Sequence, residues 1–393
     1  MQMGIGKLPE YDKMKWNKQN RPDESNLVKQ TVIIKNRQKK SEYNTPERNH
    51  MKEFTITPNE AGQRLDKYLR KLLPKAQGSF LYKMLRKKNI VLNGRKSEGS
   101  VHLADGDTVT LYLADDTFEK FCYHKAETDF LEQPVLKTKP VLKVLYENED
   151  ILIVNKPAGL LSQKAASGDI SANELIIHYL TASGAVTRQS LQTFRPSVCN
   201  RLDRNTSGIL IAGKTLAGLQ MMSRQLKERS IEKYYRCIVT GVLDKPQRLQ
   251  GYLKKDEKDN KAEISEKEPD GRYIETEYRP VRLYQDFTLL EVHLITGRSH
   301  QIRAHLASIG HPVIGDAKYG DQTVNRQLRK AIGLKHQLLH AYRIVFPDGQ
   351  EVTAPLPELF SAFEQFLESH NAHTRKGQAH AYMEFPRAAR LDT

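Results

Sequence analysis

The sequence predicts an α+β protein: a small αβ module near the N-terminus, then a larger domain built on a mixed, mostly antiparallel sheet flanked by helices and loops. Two observations carry this. Short apolar runs of strand length outnumber stretches with helical spacing, and the two do not alternate as a parallel βαβ sheet requires. The chain also has 393 residues with 38% hydrophobic and 28% charged residues, which gives room for two or three domains and a sizeable core.

The elements follow in chain order. Residues 1–52 are polar, with Val32-Ile33-Ile34 as the one clear apolar run, and read as a basic, disordered tail. Residues 53–114 form the small module. Leu65, Leu69 and Leu72 recur at helical spacing, and Pro74 ends that helix. Phe80, Leu81, Met84 and Leu85 mark a second helix whose other face carries Lys83, Arg86, Lys87 and Lys88. Ile90-Val91-Leu92 reads as a strand, Asn93-Gly94 as a tight turn followed by Arg95, and Val109, Leu111 and Leu113 as an alternating strand.

Residues 115–140 read as a polar linker closed by Lys137-Thr138-Lys139-Pro140, residues 141–370 as the main domain, and residues 371–393 as a flexible tail. In the main domain strands are expected at 144–146, 151–154, 209–212, 235–240, 278–283, 288–294 and 341–346. Helices are expected at 216–227, 301–309 and 355–369.

Composition narrows the function. A net charge of +15 favours a polyanionic partner, most plausibly nucleic acid. Between Gly62 and Lys96 eleven Lys or Arg residues face a single acidic one, Asp66. No apolar run reaches the length of a transmembrane helix, and the N-terminus lacks a signal-peptide pattern. The three cysteines, Cys122, Cys199 and Cys237, share no C-x-x-C spacing, which suits a reducing cytoplasm.

Two motifs point elsewhere and fail on chemistry. Gly208 to Thr215 satisfies the phosphate-loop pattern G-x-x-x-x-G-K-[ST], with Lys214 as its cation. Its four middle residues, Ile-Leu-Ile-Ala, are themselves a buried strand and leave no loop to wrap a phosphate. His293, His300, His305 and His311 are clustered, but His300 and His305 are spaced so that they do not share a helix face, and no cysteine or paired carboxylate completes a metal site. No metal and no cofactor is expected.

The strongest string is Asn200-Arg201-Leu202-Asp203-Arg204-Asn205-Thr206-Ser207-Gly208-Ile209-Leu210. Cations beside a carboxylate favour its charged form. A bare R-x-D-R is most often an exposed salt bridge. The full R-L-D-x-x-T-S-G-x-L resembles the catalytic motif of the RluA-type pseudouridine synthases. Val154-Asn155-Lys156-Pro157-Ala158-Gly159, Lys233-Tyr234-Tyr235, and Leu294 to Arg303 followed by Gly310-His311-Pro312-Val313-Ile314-Gly315-Asp316 resemble further motifs of that family, in family order. The 53–114 module, with G-x-R-L-D-x-x-L, a basic helix and I-V-L-N-G-R-K, resembles an S4 RNA-binding domain.

The resemblance implies isomerisation of uridine to pseudouridine in RNA, with large-subunit ribosomal RNA as the expected substrate and a monomer as the expected state. It assigns Asp203 as the catalytic carboxylate, Arg303 as its partner and Tyr235 as the residue against the base. Arg201, Arg204 and Arg298, with Lys83, Arg86, Lys87, Lys88 and Arg95 of the small module, are the expected RNA contacts. Many family members have His where this chain has Asn200. The alternative is an RNA-binding, ribosome-assembly protein without activity.

Overall fold

The computed structural model describes residues 51–122, 142–166, 168–187, 190–255, 262–265 and 271–375. Residues 1–50 of the tail expected over 1–52, most of the expected linker, and residues 376–393 lie outside the described residues.

The N-terminal module comprises β1 (Met51–Thr55), α1 (Leu65–Leu72), α2 (Gly78–Arg86), β2 (Ile90–Leu92), β3 (Thr108–Tyr112) and α3 (Asp115–Phe121). Its antiparallel sheet has the order β1-β3-β2. The predicted spacing is what buries it: Leu65, Leu69 and Leu72 of α1 and Leu81, Met84 and Leu85 of α2 meet in one core. Each such side chain, fully buried, contributes about 1.5–3 kcal/mol. Pro74 disfavours helix at Leu73, which caps α1 with φ −124° and ψ 66°.

Two boundaries differ from the sequence reading. β1 begins at Met51, and its five residues pair along β3. The first residues of the supposed linker form α3. Asp115 and Asp116 favour its N-terminus; Phe118 stacks on Phe54 at a centroid distance of 6.0 Å, and Phe121 packs tilted against Phe80 at 4.8 Å.

The main domain runs β4 (Lys143–Glu147), β5 (Ile151–Lys156), α4 (Ala172–Ala182), β6 (Ser197–Val198), β7 (Ser207–Gly213), α5 (Leu216–Glu228), β8 (Glu232–Thr240), β9 (Gln247–Lys255), β10 (Ala262–Ser265), β11 (Arg272–Leu283), β12 (Phe287–Leu294), α6 (Gln301–Ser308), α7 (Gln322–Ile332), β13 (Leu339–Val345), β14 (Glu351–Thr353) and α8 (Glu358–Arg375). The closing helix α8 thus extends beyond the expected domain end at 370.

An 11-stranded sheet has the path β10-β9-β11-β12-β8-β13-β7-β5-β4, with β14 on β13 and β6 on β7. Every pairing along it is antiparallel except β13 with β7, so the sheet is mixed and mostly antiparallel, as expected. β7 is buried at every position, and its Gly208 has φ +112°. A Cβ there would stand 2.2 Å from the Ala341 carbonyl oxygen, so only glycine allows β13 to run beside it.

This geometry removes the phosphate-loop reading. Residues 208–213 are strand, and Lys214 Nζ is held by Glu147 Oε1 and the Asn148 carbonyl, both at 2.7 Å. Thr215 caps α5, its hydroxyl accepting from the Gly218 N–H at 2.9 Å. The four clustered histidines likewise have separate partners: Tyr234 stacks on His293, while His300, His305 and His311 bond to Tyr319, Thr276 and the Thr240 carbonyl.

Candidate active site

Asp203 sits in the loop between β6 and β7, and that loop is fixed from several sides. Asn200 binds β7 through both ends of its amide, Nδ2 donating to the Ile209 carbonyl and Oδ1 accepting from the Ile211 N–H at 2.8 Å. The residue that departs from the family pattern therefore anchors the loop. The Ser162 hydroxyl donates to the Leu202 carbonyl at 2.8 Å and accepts from the Leu202 N–H at 3.0 Å. Past Asp203, the Arg204 carbonyl accepts from the Gly159 N–H at 2.9 Å and from Lys156 Nζ at 3.1 Å.

Lys156, at the end of β5, is fully buried, and its ammonium reaches three carbonyls, those of Pro157, Leu160 and Arg204. Burial pushes it down to about 7, against the opposing pull of Asp203. Three acceptors match the three N–H bonds of a charged lysine.

The predicted trio comes together. Arg303, on α6, donates from Nη1 to Asp203 Oδ2 at 2.8 Å, and its own side chain is 6% exposed while that of Asp203 is 24% exposed. Tyr235, on β8, is buried beside them. Burial and then the Asp203 charge push its phenol well above the ordinary value, so its O–H persists across neutral pH.

Asp203 and Tyr235 line a cavity of about 1030 Å³, with Asp203 the one acidic side chain in the lining among the described residues. Arg201, Arg204 and Arg298 line the same cavity and are exposed. Lys164, Lys227, Arg229, Lys233 and Arg272 join them, brought in from α4's approach loop, the end of α5, and strands β8 and β11. A wall of this composition suits a polyanion. Lys83, Arg86, Lys87, Lys88 and Arg95 are exposed but belong to the N-terminal module and are not part of the cavity lining.

Sequence reasoning gave no role to three residues here. Asp316 forks Arg303 from behind, accepting from Nε at 2.6 Å and Nη2 at 2.8 Å. His300 caps α6 in the left-handed region, with φ +60°, and lines the cavity. Burial lowers its pKa, opposed by Asp203. Lys156 is the third. Asp316 and Lys156 lie inside the quoted motif strings. The signal for them was a charged residue at the end of an apolar run, where burial makes a partner obligatory.

Comparison with known proteins agrees with this geometry. The family model described as RNA pseudouridylate synthase matches residues 150–308. A protein of Aquifex aeolicus named as an uncharacterized RNA pseudouridine synthase is 31% identical over 338 residues, covering 81% of this chain and 98% of that protein. The ribosomal large subunit pseudouridine synthase C of Escherichia coli is 30% identical over 323 residues, covering 78% and 94%. Its namesake in Rickettsia bellii is 30% identical over 310 residues, covering 76% and 96%. With this similarity spanning nearly the full length of each relative, the chain belongs to the RNA pseudouridine synthases, a family of isomerases.

Proposed function

We propose that this chain converts specific uridines of large-subunit ribosomal RNA to pseudouridine, with Asp203 acting at C1′ of the target ribose. In this isomerisation the N1–C1′ bond breaks, the base turns, and a C5–C1′ bond forms. C5 loses a proton and N1 gains one, so no redox partner and no net water are consumed. One observation carries the reading: the one carboxylate in the lining among the described residues, gripped from behind by the buried Arg303, faces a cavity whose other charged residues are lysines and arginines.

Tyr235 keeps its proton at neutral pH and so serves as a packing surface and O–H donor beside the base. A uridine stacked in folded RNA cannot reach Asp203, so the nucleotide must be flipped out, which costs a few kcal/mol of unstacking. Arg201, exposed and two positions before Asp203, suits the vacated gap, since a guanidinium stacks on bases. Arg204, Arg298 and the other cations of the wall take up phosphates, which makes affinity fall with salt. The N-terminal module, resembling an S4 domain, adds a second set of phosphate contacts through Lys83, Arg86, Lys87, Lys88 and Arg95.

The substrate class rests on the names of the Escherichia coli and Rickettsia bellii relatives. Pseudouridine mapping at nucleotide resolution, in cells with and without this protein, tests it. Loss of one or a few pseudouridines from large-subunit ribosomal RNA is the expected result. Loss confined to transfer RNA contradicts the substrate class.

A further inference from the structure

Glu60, between β1 and α1 of the N-terminal module, is buried, and a buried carboxylate needs partners. Its Oε2 accepts from the Thr57 N–H and hydroxyl at 3.0 and 3.1 Å, within the module. Its Oε1 is spent across the boundary, on the hydroxyl of Thr193 in the main domain. We propose that Glu60 and Thr193 form a latch that holds the module at one spacing from Asp203, so that RNA bound along α2 selects which uridine enters the cavity. The latch deepens the proposed function and rests on Asp203 being the catalytic carboxylate and on the module binding RNA.

The seat for Glu60 is built before the module reaches it. Thr193 is itself buried, and its hydroxyl also lies 3.1 Å from the Ser190 carbonyl. Thr187 and Ser190 close the turn around it, each N–H donating to the other's hydroxyl at 3.1 Å. Leu191 belongs to the core of the main domain. Two further contacts flank the latch. Asn59 Nδ2 donates to the Ala185 carbonyl at 3.3 Å, and Lys71 Nζ of α1 stands 6.0 Å from the ring centroid of the buried Phe194.

The seat leads straight into the catalytic loop. Thr193 precedes β6, and β6 precedes Asp203. Each link between them is tied. β6 pairs with β7, Ser197 opposite Gly213 and Val198 opposite Ala212. The Val198 N–H donates to Asn173 Oδ1 at 2.9 Å, and the Cys199 N–H to the Ile211 carbonyl at 2.7 Å. Asn200 and Leu202 then take the bonds to β7 and Ser162 already described. On the module's side, α1 and α2 share one core, and α2 carries Lys83 and Arg86, with Lys87 and Lys88 at its end. The spacing from these cations to Asp203 is thereby set by packed structure.

The consequence is a ruler. Contacts to phosphates fix register and orientation but carry no sequence information. Two linked sites raise affinity only for a partner that reaches both at once, and the gain is lost where geometry forbids it. A latched module therefore favours the uridine that lies at the matching distance from the RNA segment on α2. A module swinging on its connection would serve many distances and favour none of them. The latch turns unspecific cations into a device for choosing one uridine within a long RNA.

The test uses the full chain with Thr193→Asp, which sets a second carboxylate against the buried Glu60 and drives the module off its seat. Pseudouridines are mapped on full-length large-subunit ribosomal RNA, and the rate is measured on a short hairpin carrying only the target uridine. Amide hydrogen exchange in β1 and α1 reports release of the module. Exchange is expected to quicken and the preference for the native uridine over others to fall about tenfold, with the hairpin rate within about threefold of wild type. Adding Glu60→Gln returns a donor–acceptor pair across the boundary and is expected to restore the preference. An unchanged preference in Thr193→Asp overturns the latch, whether or not exchange quickens. So does an equal fall on the hairpin, or a double variant that restores nothing. If Thr193→Asp does not fold, Thr193→Val decides by the same readouts, and failure of both to fold overturns the proposal. Asp203→Ala separates the two claims: if it is inactive while Thr193→Asp keeps the wild-type preference, only the latch fails.

Discussion

Lys156 illustrates how a single residue shapes the site without lining the cavity. It is buried under the loop that carries Asp203 and holds the Arg204 carbonyl from below. Lys156→Met keeps the volume but leaves the Pro157 and Leu160 carbonyls without their donor, while the Arg204 carbonyl keeps only the Gly159 N–H. A cost of about 1–3 kcal/mol is expected for a buried group left unsatisfied, with a slower reaction as the loop loosens. Thermal melting together with turnover checks this, and a variant with unchanged melting and rate contradicts it. The pH dependence has a definite sign. The folded lysine sits at about 7, below its ordinary 10.5, so between these values the unfolded chain holds a proton that the folded one releases. Stability from this residue therefore rises with pH over that window, and Lys156→Met should lose that slope. Asp203, Tyr235 and Arg303 were legible in the sequence because motif strings carry them. Lys156 and Asp316 stood in the same strings, but their roles depend on burial and reach, which only the folded chain supplies.

At the level of elements, apolar runs marked most strands of the central sheet to within a few residues. What escaped has a physical reason in each case. α4 buries Ala172, Leu175, Ile176, Ile177 and Leu180, so its apolar residues crowd together instead of forming a stripe. α7 turns only Val324 and Leu328 inward on an otherwise polar helix. β9 alternates Leu249, Gly251 and Leu253, and the glycine breaks the apolar rhythm. The packing of the N-terminal module on the main domain was likewise unreadable, since it runs through residues far apart in the chain, one of them a buried acid. Glu60 accepts from the Thr57 N–H and hydroxyl and from the Thr193 hydroxyl, while Asn59 Nδ2 donates to the Ala185 carbonyl at 3.3 Å. Thr193→Val removes one donor from this buried carboxylate at constant shape. We expect a loss of about 1–3 kcal/mol and faster amide hydrogen exchange in β1 and α1. Unchanged exchange there would mean that the module is held by other contacts.

For the molecule as a whole, charge and burial set the conditions under which it holds together. Its net charge of +15 suits a polyanion, and the cavity wall concentrates that excess around the one acidic residue in the lining. Two buried histidines make stability sensitive to acid. His305 and His340 are both pushed down to about 4 by burial, from an ordinary 6.5. As pH falls the unfolded chain takes up these protons first, so stability is lost between 6.5 and about 4, roughly 3 kcal/mol for each histidine over the full window. Melting temperature should fall steeply across that range, and His305→Gln should make the fall shallower by about one proton. An equal slope in the variant would contradict the assignment. No helix among the described residues is long and apolar enough to cross a membrane. The residues proposed for the chemistry meet at one place, where the β6–β7 loop, β8 and α6 converge, and that convergence is the central claim. Pseudouridine formation by purified Asp203→Ala, on the RNA that the wild-type protein modifies, tests it most directly. The account predicts no detectable product while RNA affinity stays near wild type, and product at a rate near wild type would contradict it.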